Sequence, residues 1–211
     1  MVRFLITIIK VGMRRMWQRC IGILLVGGLL AACSTEPRMP EPSFDDIDAA
    51  GKAAREMQAA LKDELMAAMQ AGGPEAAIAV CSERAPAIAR QVSDQSGYEV
   101  SRTALRTRND ANAPDAWEAE GLEIFEAALA SGASPSVMER SEIVRTEEGG
   151  AEFRWMKPIL MDEPCTVCHG TQVNEGLQAS IASLYPDDEA TGFEVGQLRG
   201  AFSVRKVVEL E

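Results

Sequence analysis

Histidine is almost missing from this chain: His169 is the single one in 211 residues. A site built from two or more imidazoles is therefore excluded, and any chemistry at His169 must recruit its other groups from different residue types. Basic residues are also scarce, 21 against 32 acids for a formal net charge of -11. A nucleic-acid backbone is held by Lys and Arg, so nucleic acid is not an expected partner. No apolar run reaches the roughly 20 residues that a membrane-spanning helix needs. No period of about 20 to 50 residues recurs, which excludes a repeat array.

The first 32 residues read as a lipoprotein signal peptide. Arg3, Lys10, Arg14, Arg15 and Arg19 stand there without an acid, ahead of the apolar run IGILLVGGLLAA and the tetrapeptide Leu30-Ala31-Ala32-Cys33. Cys33 would become the lipid-bearing N-terminus. The run VRFLITIIK ahead of Met13 is unusual for a signal and suggests a true start at Met13 or Met16. Removal of the segment would leave 16 bases against 32 acids, a net charge near -16. Residues 33–42, containing STEPRMPEP, form a polar, proline-containing tether, and residues 43–211 form one domain. The expected location is the periplasmic side of the cell envelope, anchored to the membrane through Cys33. Ser34 is compatible with outer-membrane sorting.

Ser43 and Asp46 stand at capping spacing ahead of a helix with Met57, Leu61, Leu65 and Met69 four apart. After Gly72-Gly73-Pro74 a second helix is expected from Glu75 to about Ser93; it carries Cys81 on a face with Ala77, Ile78, Ala85 and Ile88, and Pro86 should bend it. Tyr98 to Arg108 reads as a strand, and Pro114 opens a third helix. A hairpin around Glu148-Gly149-Gly150 follows, and GQLRGAFSVRKVVEL is a last strand. This order predicts an α+β domain with a mostly antiparallel sheet.

Between the hairpin and the last strand lies EPCTVCHG, Glu163 to Gly170. Cys165, Cys168 and His169 have the C-x-x-C-H spacing of covalent c-type haem attachment. In a helical turn the two sulfurs reach the two vinyl groups on one edge of the porphyrin, while the next imidazole swings beneath the ring to the iron. Two competing readings use the same residues. Cys81, Cys165, Cys168 and His169 add up to a Cys3His zinc set, although adjacent Cys168 and His169 converge poorly on one tetrahedral ion. Cys165 and Cys168 could instead be a thiol redox pair, but the strand-then-helix context of that motif is missing.

With haem bound, the face opposite His169 would hold water, a vacancy, Met, Lys or Cys. Methionine candidates are Met57, Met66, Met69, Met138, Met156 and Met161, the last too close to Cys165 in sequence to reach across the ring. Cys81 is the stronger candidate, because a solitary thiol in an oxidising compartment invites oxidation unless something occupies it. Ferric iron favours thiolate, and the anion in turn lowers the reduction potential. Arg102, Arg106 and Arg108 have even spacing that would place them on one strand face, and guanidinium forks suit haem propionates. Phe153 and Trp155, on one hairpin face, are read as core.

Four segments, AVCSERAPAIA (Ala79 to Ala89), RTALRTRNDANAPDAWE (Arg102 to Glu118), EPCTVCHG and YPDDEATGFEVGQLRGAFSV (Tyr185 to Val204), stand in an order that resembles a family of single-haem c-type proteins. Its members are exported or attached to sensor kinases. The resemblance implies a PAS-like five-stranded antiparallel sheet with N-terminal and flanking helices, one covalent haem c on Cys165 and Cys168, and axial ligation by His169 and Cys81. Gln197 departs from the family's acidic residue in G-Q-L-R-G. The implied activity is low-potential electron transfer or redox sensing through an unidentified redox or signalling partner. A gas sensor, with CO or NO displacing Cys81, is the alternative. Catalysis is disfavoured, since two axial ligands close the iron and a peroxidase site would call for a second histidine.

Overall fold

A computed structural model of the chain describes residues 39–209. The signal segment and Cys33 lie outside the described residues. No described helix is long and apolar enough to cross a membrane.

Helix α1 (Phe44–Ala79) begins where the Ser43 hydroxyl oxygen accepts the Asp46 N–H at 3.0 Å. Ala50, Ala53, Ala54 and Met57, one helical face apart, are its buried stripe. Small residues there let the helix approach the sheet closely; a Cβ on Gly51 would lie 3.7 Å from the Trp155 ring. The break expected at Gly72-Gly73-Pro74 is a kink within α1, at Gly73 with φ 73°.

One π-turn, Val80–Arg84, separates α1 from helix α2 (Ala85–Ser96). The bend expected of Pro86 takes this form: proline cannot donate and its ring crowds the preceding turn, so the backbone widens and the Ala85 N–H bonds Val80 O, five residues back. Cys81 lies in that turn.

Strand β1 is Glu99–Thr103, shorter than the Tyr98 to Arg108 reading, because the chain bends after Ala104, whose N–H bonds Asn112 O at 3.2 Å. Helix α3 (Ala116–Ala130) starts at Asp115 with a reciprocal capping box to Glu118. Strands β2 (Arg140–Arg145) and β3 (Ala151–Leu160) form the expected hairpin. The short helix α4 (Thr166–His169), helix α5 (Glu175–Leu184) and strand β4 (Leu198–Val208) complete the chain. The fold is α+β, with an antiparallel four-stranded sheet in the order β1-β4-β3-β2 and flanking helices. A fifth strand, implied by the family resemblance, is not formed among the described residues. Instead, residues 185–197 turn around the His169 segment, where their backbone finds its partners.

The register divides the sheet into two faces. Val100, Phe153, Trp155, Phe202 and Val204 face α1 and α2 in one core, where Phe153 and Trp155 were read. Met156 and Ala201 face α3 in a second, with Leu122 and Phe125. Arg102 pairs with Phe202 and so emerges on the α1/α2 side, beyond the end of that core.

Candidate functional site

The Cys165 to His169 segment is a compact helical turn. The Asp162 side chain accepts the Glu163 N–H, the Glu163–Cys165 residues make a 3-10 turn, and α4 follows without a gap. Cys165 packs on Met161, Ala190 and Phe193, while Cys168 packs on Ile78, Val173, Leu177 and Ile181. Both are free thiols. Gly170 ends the turn, and a Cβ there would come within 2.5 Å of Thr166 O, so no larger residue fits.

His169 is oriented by a single bond: its Nδ1 lies 2.7 Å from Ala190 O. A carbonyl can only accept, so Nδ1 carries the proton and Nε2 keeps its lone pair, which is the tautomer a metal ligand needs. Burial, together with the nearby Arg199 and Arg108 charges, lowers its pKa to about 3. The imidazole is neutral at any physiological pH.

The carbonyl that orients His169 is itself held. The Phe193 N–H bonds His169 O and the Gly192 N–H bonds Gly170 O, both at 2.9 Å, so the 185–197 segment is laced onto the turn. Arg108 is the brace beneath: it pairs with Asp188 at 3.0 Å, both side chains nearly covered, and donates to Cys168 O at 2.8 Å and Ala190 O at 3.3 Å.

From the opposite end of the sequence, the π-turn brings Cys81 to the same place. Cys81 is half-buried, and the residues read as its face neighbours, Ala77, Ile78, Ala85 and Ile88, are all buried. The Cys168 thiol is pushed up by burial and further by the Cys81 and Cys165 charges, against Arg108. Burial pushes the Tyr185 phenol up too, again with a contribution from Cys81. Cys81 is thus close enough to both Cys168 and Tyr185 for its charge to reach them. A cavity of about 240 Å³ beside them is lined by Ser82, Arg108, Asn109, Asp110 and Tyr185 among others.

The three arginines singled out from spacing do not share a strand face, because β1 stops at Thr103. Arg108 is committed to the brace. Arg106 stacks on the Phe193 ring at 4.2 Å and donates to Glu189 O at 3.1 Å and to Thr191 O. Arg102 has no hydrogen-bond or ion-pair partner among the described residues, and burial lowers its pKa. Sequence reasoning missed a fourth, Arg199. The β3–β4 register jumps from Ile159↔Gly200 to Leu160↔Leu198, leaving Arg199 as the extra residue of a bulge that re-aims its side chain. Burial, then Arg108 and Arg102, lower its pKa to about 10. The glycine flanking it in L-R-G was the available signal.

Among the described residues no group of three or more His, Cys, Asp or Glu side chains is placed to hold a metal ion, so the Cys3His zinc set is not assembled. Met57, Met138 and Met156 are locked in the two cores, and Met161 is buried beside Cys165.

The crystal structure of the cyanobacterial heme-protein Tll0287 is similar to this one, with a TM-score of 0.54 at 21% identity, covering 79% of this chain and 96% of that one. The likeness supports the α+β fold. No curated protein matches this chain. The match to the family description covers residues 35–206, which contain every described element except the last two residues of β4, and on that extent the chain belongs to the Tll0287-like family.

Proposed function

We propose that this chain is a membrane-tethered c-type haem protein that carries electrons at low potential or senses redox state. The observation that carries the reading is the His169 tautomer: Nδ1–H is bound to Ala190 O at 2.7 Å, leaving Nε2 free as a ligand in a water-poor setting. The rest of the donor set fits the group. Two free thiols flank that imidazole on one short turn, and a third stands near Cys168 on a separate helix. The solved family relative, Tll0287, is itself a haem protein.

In this reading Cys165 and Cys168 would hold haem c through thioethers, His169 Nε2 would be one axial ligand and Cys81 the other. The bound group supplies a one-electron ferric/ferrous couple. The chain's own residues do the remaining work. Ala190 fixes the imidazole and Arg108 holds the carbonyls of Cys168 and Ala190 in register; a Cys81 thiolate would favour the more positive iron state. With His169 and Cys81 both committed to the iron, the chain would serve as a carrier or sensor rather than an enzyme. Lipid on Cys33 would set it at the periplasmic face of a membrane, facing a redox or signalling protein.

A second reading, a CO or NO sensor from which Cys81 departs on reduction, is favoured by the place of Cys81 in a π-turn, a segment that can change register without unfolding its helix. Rapid CO binding by the reduced protein is expected of the sensor and slow or absent binding of the carrier.

The test of the shared claim is purification of the chain after coexpression with haem-attachment machinery. The product should be red, and acid-acetone extraction should leave the colour on the protein. A colourless chain, or pigment that extracts, contradicts it.

A further inference from the structure

Four guanidiniums, those of Arg102, Arg106, Arg108 and Arg199, lie around the His169 turn and face one well-buried carboxylate, Asp188. That carboxylate is already used. Arg108 takes both of its oxygens, at 3.1 and 3.0 Å. Arg106 is satisfied by two backbone carbonyls and by the Phe193 ring. The other two are not. Arg199 donates to Arg106 O at 3.1 Å through Nη1, but its Nε is covered and has no acceptor. Arg102 has no partner at all among the described residues, although it emerges at the covered end of the sheet beside Cys81 and Tyr185. Glu126 lines the small cavity next to Arg199 but bonds neither guanidinium.

Arg199, with a covered and unpaired Nε, and the half-buried Arg102, with no partner among the described residues, mark a place prepared for an anion, and a planar fork selects carboxylate or phosphate. The bulge at Arg199 strengthens the point, since β4 gives up one pair of the ladder to turn that side chain. Resting on the haem reading above, we propose that Arg102 and Arg199 form the receptor for the porphyrin's two carboxylate arms, and that Arg106 and Arg108 belong to the scaffold. On this proposal, Arg102 alone of the three arginines grouped by spacing would face the ligand.

The roles differ in what each substitution moves. Held by two guanidiniums, the carboxylates stay ionised, so the reduction potential should be flat between about pH 5 and 8. In haem-loaded Arg102→Gln and Arg199→Gln, a carboxylate should begin to titrate in that range: the potential should acquire a slope with pH, and the carboxylate-arm bending bands in resonance Raman should shift. Arg106→Gln should keep the wild-type profile and bands, and Arg199→Lys, which retains the charge, should recover much of the flat profile. If Arg199→Gln yields no loaded protein, Arg102→Gln and Arg199→Lys carry the comparison. Wild-type bands and a flat profile in both Gln variants would overturn the assignment, as would an equal shift in Arg106→Gln. Failure of the wild-type chain to attach haem would instead remove the parent reading, and it is seen before any variant is compared.

Discussion

At the scale of single residues, His169 joins electrostatics to stability in a way that is measurable without the cofactor. In the haem-free chain, such as a Cys165→Ala/Cys168→Ala variant, the folded imidazole stays neutral down to about pH 3, whereas the unfolded chain takes up its proton near 6.5. Between those values the unfolded state binds more protons, so stability falls as pH falls, at up to about 1.4 kcal/mol per pH unit. Asp46 and Asp115 have pKa values lowered from 3.8, so their contributions are lost only in more acid solution. Denaturant titrations between pH 6.5 and about 5 should therefore show a slope that His169→Gln abolishes. A slope that persists in the variant would mean that the imidazole is not the group responsible. Arg108 makes a companion case. Replacing it with Leu strands the covered Asp188 and frees two carbonyls of the site, and should cost about 3–5 kcal/mol in chemical denaturation. A loss below about 1 kcal/mol would show that the brace is solvated.

At the scale of elements, the site depends on a turn that tolerates no extra atom. Gly170→Ala should push the chain off Thr166 O, disturb the Gly192 to Gly170 bond, and sharply reduce covalent haem loading measured by mass spectrometry. Full loading would show that the turn relaxes freely. Much at this scale was legible. Ser43 and Asp46 marked the start of α1, Pro114 lay beside the start of α3, and the alternation around Gly149 gave the β2–β3 hairpin. The misses have physical causes. β-branched residues carried the strand reading past Thr103, but the backbone of Ala104 finds its partner in Asn112 rather than in β4. Pro86 signalled a bend, yet whether a proline is met by a kink or by a π-turn depends on packing that local sequence does not contain. Arg199 was passed over because a bulge is a property of two paired strands: Gly200 hints at one, but the extra residue is fixed only once Ile159 and Leu160 are set against β4.

At the scale of the whole molecule, one sheet carries two cores, and the site is assembled past their end from segments far apart in sequence: the π-turn after α1, the loop after β1, the turn before α4 and the bulge opening β4. The C-x-x-C-H segment, being local, was legible as one compact helical turn. That Cys81 approaches it is long-range information, and a single thiol on a helical face carried only the suggestion. The account's central claim is that His169 and Cys81 approach one iron from its two sides. The most direct test is the electron paramagnetic resonance spectrum of the ferric, haem-loaded protein, wild type beside Cys81→Ala. The account predicts a low-spin thiolate-type signal in the wild type that is lost in the variant, with haem still attached through Cys165 and Cys168. An identical signal in both proteins would contradict it.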